Sequence, residues 1–202
     1  MTAAPLLLDK TPPPTLGAVE LNSIAAGVET LDALAKESPI EILLAEASSA
    51  GKYLILVGGE VDETARALGR ALEAGGDRII DDVLLPSIHP QLAAALTLGG
   101  GDMQTRLEDL ADPPAVAVVE CYGGPTLLGA ADCAAKTGEI TVEKIHLLAG
   151  IGGKATTVFT GDVESTRVAI DSAAGFAEDR GLLAHRVLIP RPDASILPFL
   201  KR

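Results

Sequence analysis

The stretch AGIGGKATT, residues 149 to 157, places a glycine-rich turn directly before a lysine, a pairing that can cradle a phosphate. Backbone N–H groups would point at the anion and the ammonium would neutralise it. A loop of the GxxxxGK type also needs a glycine at position 148, a Ser or Thr after the lysine, and then a helix. The chain has Leu148, Ala155 and then the strand-forming KATTVFTG. A dinucleotide fingerprint fails as well, because no helix opens after Gly150-Ile151-Gly152. Nucleotide binding is set aside, while a tight turn that needs glycine torsions and nothing more stays open.

The remaining reactive side chains make no catalytic constellation. His89 precedes a proline, and His146 and His185 fall on expected strands. None has a Ser, Cys or paired carboxylate at the spacing of a triad or a metal site. The pair Asp81-Asp82 reads as a solvated strand edge. Cys121 and Cys133 fall on a strand end and a helix, with no CxxC spacing, so neither a disulfide framework nor a zinc site is expected. The expectation is a protein that is not an enzyme and carries no cofactor or metal.

The elements that position AGIGGKATT come from an internal duplication. Glu20 matches Glu120, and the Asp32-to-Lys36 spacing recurs as Asp132 to Lys136, at an offset of 100. Gly51-Lys52 matches Gly153-Lys154 and Gly59-Glu60-Val61 matches Gly161-Asp162-Val163 at an offset of 102, so the second copy has gained two residues. VLLPSIHP and VLIPRPDA align Pro86 with Pro190, an offset of 104. The landmarks keep their order throughout. Residues 1–15, with Pro12 to Pro14, are assigned to a tail, 16–98 to the first domain, 99–114 to a linker and 115–202 to the second domain. The linker opens on Gly99-Gly100-Gly101 and closes on Asp112-Pro113-Pro114, flexible and stiff chemistry in turn.

Each copy predicts strand, helix, strand, strand, helix, strand, short helix. LGAVELN is rich in strand formers, and Ile24, Val28, Leu31 and Ala35 then make one helical stripe, echoed by Leu128, Ala131 and Ala135. IEILLAEA and KYLILV form a hairpin whose tip spans Ala47 to Gly51. A second helix carries Val61, Ala65, Leu68 and Leu72 on one face and stops at Gly75-Gly76. RIIDDVLLP is the fourth strand. The fold class is α/β, in the form of an α+β sandwich: an antiparallel split βαβ sheet with helices on one side, twice over.

Composition narrows the partners. Hydrophobic residues make 48% and charged residues 22% of the 202, enough for a real core, but aromatics make only 2%, so Ala, Val, Leu and Ile must fill it. A net charge of −12 opposes nucleic acid and anionic membranes, which need clustered Lys and Arg. MTAAPLLLDK has no basic residue before its leucines and is not expected to be a signal peptide; no apolar run is long enough to span a membrane. Cysteine usage fits a reducing cytoplasm.

The motifs LNSIAAGVETLDALAK, SSAGKYLILVGGEV, LLPSIHP, AADCAAK, AGIGGKATTVFTGDV and GLLAHRVLIPRP, in this order across a duplicated frame, resemble the tandem-domain shell proteins of bacterial microcompartments. The resemblance covers about residues 16 to 200 and follows the unpermuted order of the domain, a variant of the ferredoxin-like fold. It implies a homotrimer that forms a flat pseudohexamer, tiles with hexameric and pentameric shell proteins around metabolic enzymes, and passes small polar metabolites through a central pore. By position the pore would be lined by Ser48, Ser49, Ala50 and Gly51 of the first copy and by Gly150, Ile151, Gly152 and Gly153 of the second. The resemblance also assigns Lys36, Lys136 and Arg191 to docking between neighbouring discs; Ser87 stands at the first-copy counterpart of Arg191. The propanediol-utilisation branch of the family holds an iron–sulfur cluster at the pore through a first-copy cysteine, where this chain aligns Ser49, so no cluster is expected. Two other classes fit the bare duplication: a regulatory protein binding a small molecule between ferredoxin-like domains, and an enzyme or electron carrier using the glycine loop.

Overall fold

In the computed structural model, which describes residues 13–48, 51–97, 113–147 and 152–200, the strand formers and alanine-rich segments settle into one plan repeated twice. The first copy runs β1 (Thr15–Leu21), α1 (Ile24–Glu37), β2 (Glu41–Ser48), β3 (Lys52–Gly59), α2 (Val61–Gly75), β4 (Ile79–Pro86) and α3 (Pro90–Thr97). The second runs β5 (Ala115–Cys121), α4 (Gly124–Thr137), β6 (Ile140–His146), β7 (Ala155–Gly161), α5 (Val163–Asp179), β8 (Leu183–Pro190) and α6 (Leu197–Leu200). Each copy makes a four-stranded sheet, ordered β2-β3-β1-β4 and β6-β7-β5-β8, with all neighbours antiparallel. Glu20 stands between Leu54 and Asp81, and Glu120 between Thr156 and His185. The landmarks matched in the sequence therefore hold the same register in both sheets.

Local chemistry sets the element ends. Ser23 starts α1 by accepting from the Ala26 N–H at 3.3 Å, and Asp162 starts α5 by accepting from the Glu164 and Ser165 N–H groups. Gly76, at a φ of +50°, ends α2. The linker glycines 99–101 and the segment before Pro13 lie outside the described residues.

The central strands carry the burial: every residue of β1 is buried, and Phe159 of β7 is fully enclosed. One core runs through both copies, joining Leu54 and Leu56 of the first sheet to Leu127 and Leu128 of α4. Truncating any of these leucines to alanine should cost about 2–5 kcal/mol, because so close-packed a core cannot collapse around the void. The two copies fold as partners and not as beads on a string.

The helical stripes differ from expectation. Ile24 and Val28 are 46% and 53% exposed, and α1 instead seats Gly27, Thr30 and Leu34 on its sheet. The cause is steric: a Cβ at residue 27 would fall 2.3 Å from the Tyr53 ring, so only a glycine face can approach that closely. In α2 the buried set is Thr64, Ala67, Leu68, Ala71 and Gly75, turned from the expected face, with Val61 exposed. In α4 the expected Leu128, Ala131 and Ala135 are buried, together with every residue from Gly124 to Asp132. In α1 the apolar stripe of Ile24 and Val28 competes with the small-residue face of Gly27 and Thr30, so periodicity alone cannot say which one meets its own sheet.

Candidate functional site

The two loops expected at the pore are brought together by a lysine. Glu20, buried on β1, accepts from Ser48 Oγ at 3.4 Å, Lys52 Nζ at 3.3 Å and the Gly124 N–H at 3.3 Å. Lys52 also donates to the carbonyl oxygens of Tyr122 and Gly153, at 2.7 and 2.8 Å. The lysine that follows the first loop thus grips the second. Burial pushes the Glu20 carboxyl above the usual carboxylate range, and the Lys52 ammonium and the Gly124 N–H pull it back only in part. The Lys52 charge is committed to Glu20, so it adds no bare charge to the loop opening.

Gly51, Gly152 and Gly153 have φ of +77°, +66° and +81°, the left-handed region where side chains are strained. Glycine torsions are therefore a physical requirement at these three positions. A side chain at 51 or 152 would still meet nothing within 4 Å. Ser49, Ala50, Gly150 and Ile151 lie outside the described residues.

The Asp81-Asp82 pair is not a solvated edge. Asp81 is 4% exposed; its Oδ2 accepts from the Thr126 N–H at 2.6 Å and its Oδ1 from Thr126 Oγ1 at 2.8 Å. Arg180 closes the cluster, donating to Thr126 Oγ1 at 3.0 Å, to Asp81 Oδ1 at 3.2 Å and to the Asp82 carbonyl. Helix α4 starts at Gly123, which has no side chain to cap it, so a carboxylate of the first copy caps a helix of the second. A Cβ on residue 123 would lie 2.0 Å from Asp81 Oδ2, so the glycine is needed for the close approach. Burial raises the Asp81 carboxyl, against the lowering pull of Thr126 and then Arg180. The sequence carried a trace of this seam. Asn22-Ser23 before the first helix becomes Tyr122-Gly123 before the second, a lost cap where the repeats otherwise match.

Two further links seal the seam. Gln91 of α3 donates to the Ile140 carbonyl at 2.7 Å and accepts from the Val142 N–H at 2.8 Å, pairing the outer edge of β6. Asp132 accepts from the His89 N–H at 2.7 Å and holds Lys136 at 2.5 Å. Lys136 is consequently half-exposed beside the seam, whereas Lys36, paired with Asp32 at 2.6 Å, stands clear with 73% of its side chain exposed. Arg191 is exposed at a φ of +47°, and Ser87 has the same unusual torsion, +54°. The bonds beside them are shifted by one residue: Arg191 N donates to the Pro114 carbonyl, whereas in the first copy Ile88 N, one past Ser87, donates to that of Pro14. The backbone torsion repeats here while the side chain does not.

Among the described residues, no group of three or more His, Cys, Asp or Glu side chains could hold a metal ion, and no helix is long and apolar enough to cross a membrane. Cys121 is fully buried, and burial, reinforced by the Asp81 charge, pushes its thiol up to about 12.

Comparison with known proteins agrees with this geometry. The BMC domain model matches residues 15–88 and again 115–192. Bacterial microcompartment shell protein PduT of Citrobacter freundii is 33% identical over 181 residues, covering 90% of this chain and 94% of that protein. The carboxysome assembly protein CcmO of Synechococcus elongatus is 27% identical over 192 residues, 92% of this chain and 68% of that protein. A microcompartment protein of known crystal structure from Desulfitobacterium hafniense superposes with a TM-score of 0.73 at 32% identity, covering 90% of this chain and 97% of its own. The chain belongs to the BMC domain family, as a tandem protein with two such domains.

Proposed function

We propose that the protein is a structural tile of a bacterial microcompartment shell, acting as a homotrimer whose six domains surround a central pore. The carrying observation is a mismatch of burial between equivalent surfaces. Helix α4 and strand β6 are covered by β4 and α3 of the first copy, while their counterparts α1 and β2 carry exposed Ile24, Val28 and Ile42. At the other end of the chain, Val187 of β8 is 39% exposed where its counterpart Val83 is 5% exposed. One end of the molecule thus has the unpaired form of a surface whose complement lies unpaired at the other. A head-to-tail contact of this kind closes into a ring when its rotation divides a full turn, and a rotation of one third gives the proposed trimer.

In this reading the loops around Ser48 to Gly51 and Gly150 to Gly153 face the ring axis and pass small polar solutes. Lys36, Lys136 and Arg191 dock the disc against hexameric and pentameric shell neighbours. The protein has no catalytic role of its own, and its place is the microcompartment shell.

Two measurements test the proposal. Light scattering should give three times the 20.6 kDa chain, about 62 kDa, and electron microscopy should show discs or sheets. A monomer at every concentration would sink it. For the pore, Gly152→Asp suits a left-handed position, which Asp tolerates better than a bulky residue, and sets carboxylates around the axis. Shells carrying it should slow anionic solutes more than cationic ones; equal slowing would remove these loops from the pore.

A further inference from the structure

The links within the chain predict those between chains, and the two sets are not alike. Lys52 reaches across the seam to Tyr122 and Gly153 while held by Glu20. Its counterpart Lys154 is held by Glu120 at 2.9 Å. The first pair is 16% and 2% exposed, but the second is 39% and 34% exposed. The seam partners that cover the first pair have no equivalent around the second pair among the described residues of the single chain. The counterparts of Tyr122 and Gly153 are Asn22 and Gly51, and the counterpart of the Gly124 N–H that reaches Glu20 is the Ile24 N–H. All three lie on the uncovered side of the first copy, beside the exposed Ile24 and Val28.

We infer that Lys154 is the staple between copies: its ammonium takes the Asn22 and Gly51 carbonyl oxygens of a second copy of this chain, and Glu120 accepts from that copy's Ile24 N–H. The inference rests on the trimer proposed above and adds the contact that closes it.

Of the polar latches inside the chain, the one between Asp81 and Thr126 has no equivalent at the seam between copies, which puts more weight on this staple. His185 occupies the strand position of Asp81, and Ala26 that of Thr126, so neither the capping carboxylate nor the receiving hydroxyl is present. Helix α1 caps itself through Ser23 and needs no carboxylate from its neighbour. Gly51 also belongs to the first-copy loop. Closing the ring therefore fixes that loop through the neighbour's lysine, just as Lys52 fixes the second-copy loop inside the chain. Assembly and pore geometry are coupled by one side chain.

The test compares the full-length wild-type chain with Lys154→Met, which keeps the stem and drops the charge, and with the milder Glu120→Gln. Because Lys154 lies at the surface of the single chain, both variants should keep the wild-type circular dichroism spectrum. Dilution series by sedimentation should show Lys154→Met trimers dissociating at a concentration at least about tenfold higher than wild type, with Glu120→Gln in between. In trimers held together at high concentration, hydrogen exchange at Ile24 and Gly51 should be faster in Lys154→Met than in wild type. A wild-type trimer with Lys154→Met dissociating and exchanging identically would overturn the staple and leave the trimer standing. A wild-type monomer at all concentrations would overturn both.

Discussion

Asp81 of the first copy caps the α4 helix of the second, its Oδ2 lying 2.6 Å from the Thr126 N–H. A helix start that would ordinarily be satisfied by its own N-cap residue is instead satisfied across a domain boundary. The two copies therefore lose a helix cap if they separate. The contact gives the seam within the chain a polar bond that the corresponding residues, His185 and Ala26, cannot form.

Removing that carboxylate should be costly. Asp81→Ala leaves the Thr126 N–H and the Arg180 guanidinium without their acceptor, at about 2–4 kcal/mol, read from urea unfolding. The pH dependence follows from the raised carboxyls of Asp81 and Glu20. A carboxyl whose folded pKa lies above its unfolded value makes the folded chain the better proton binder. The contribution of these two groups to stability is fully present below the unfolded values, 3.8 and 4.5, and is lost as pH rises through the folded ones. Asp81→Asn should flatten this decline, and an unchanged slope would remove Asp81 as its source.

Gly123→Ala should destabilise by about 1–3 kcal/mol, because its new methyl group collides with Asp81 Oδ2 and must push the two copies apart. Gly69→Ala and Gly175→Ala are the controls. Both sit inside helices with nothing within 4 Å of the added carbon, and each should raise stability by about 0.5–1 kcal/mol. Thermal melts of the three variants would separate a steric role for Gly123 from general intolerance of side chains.

Arg191→Gly separates folding from assembly. An arginine at a φ of +47° stores strain of roughly 1 kcal/mol that glycine relieves. The variant should melt slightly higher than wild type, yet form trimers that fail to join into sheets under the electron microscope. Extended sheets from Arg191→Gly would remove this residue from disc docking.

The Cys121 thiol, fully buried and pushed up to about 12, should resist alkylation in the native protein at mildly alkaline pH and react fully in denaturant. Cys133 is less buried, and its thiol is raised by burial and then by Asp132. Mass spectrometry after timed alkylation should find Cys133 modified first.

The sequence alone carried the duplication, the order of strands and helices in each copy, and the family. Strand alternation, helix stops and turn glycines are local signals, and two copies of each made the pattern redundant. Glu20 and Glu120, Lys52 and Lys154, and Ser87 and Arg191 occupy matching backbone positions as their offsets of 100, 102 and 104 required. Tertiary structure decided what each copy shows to its surroundings. In an alanine-rich helix both faces can be buried, so whether Ile24 and Val28 meet their own sheet or open space depends on where Gly27 lets the helix approach Tyr53. The burial of Asp81 likewise depends on a helix start 45 residues away. Capping and charge pairing between domains are long-range events, and spacing along the chain records them only where a residue is missing, as at Gly123.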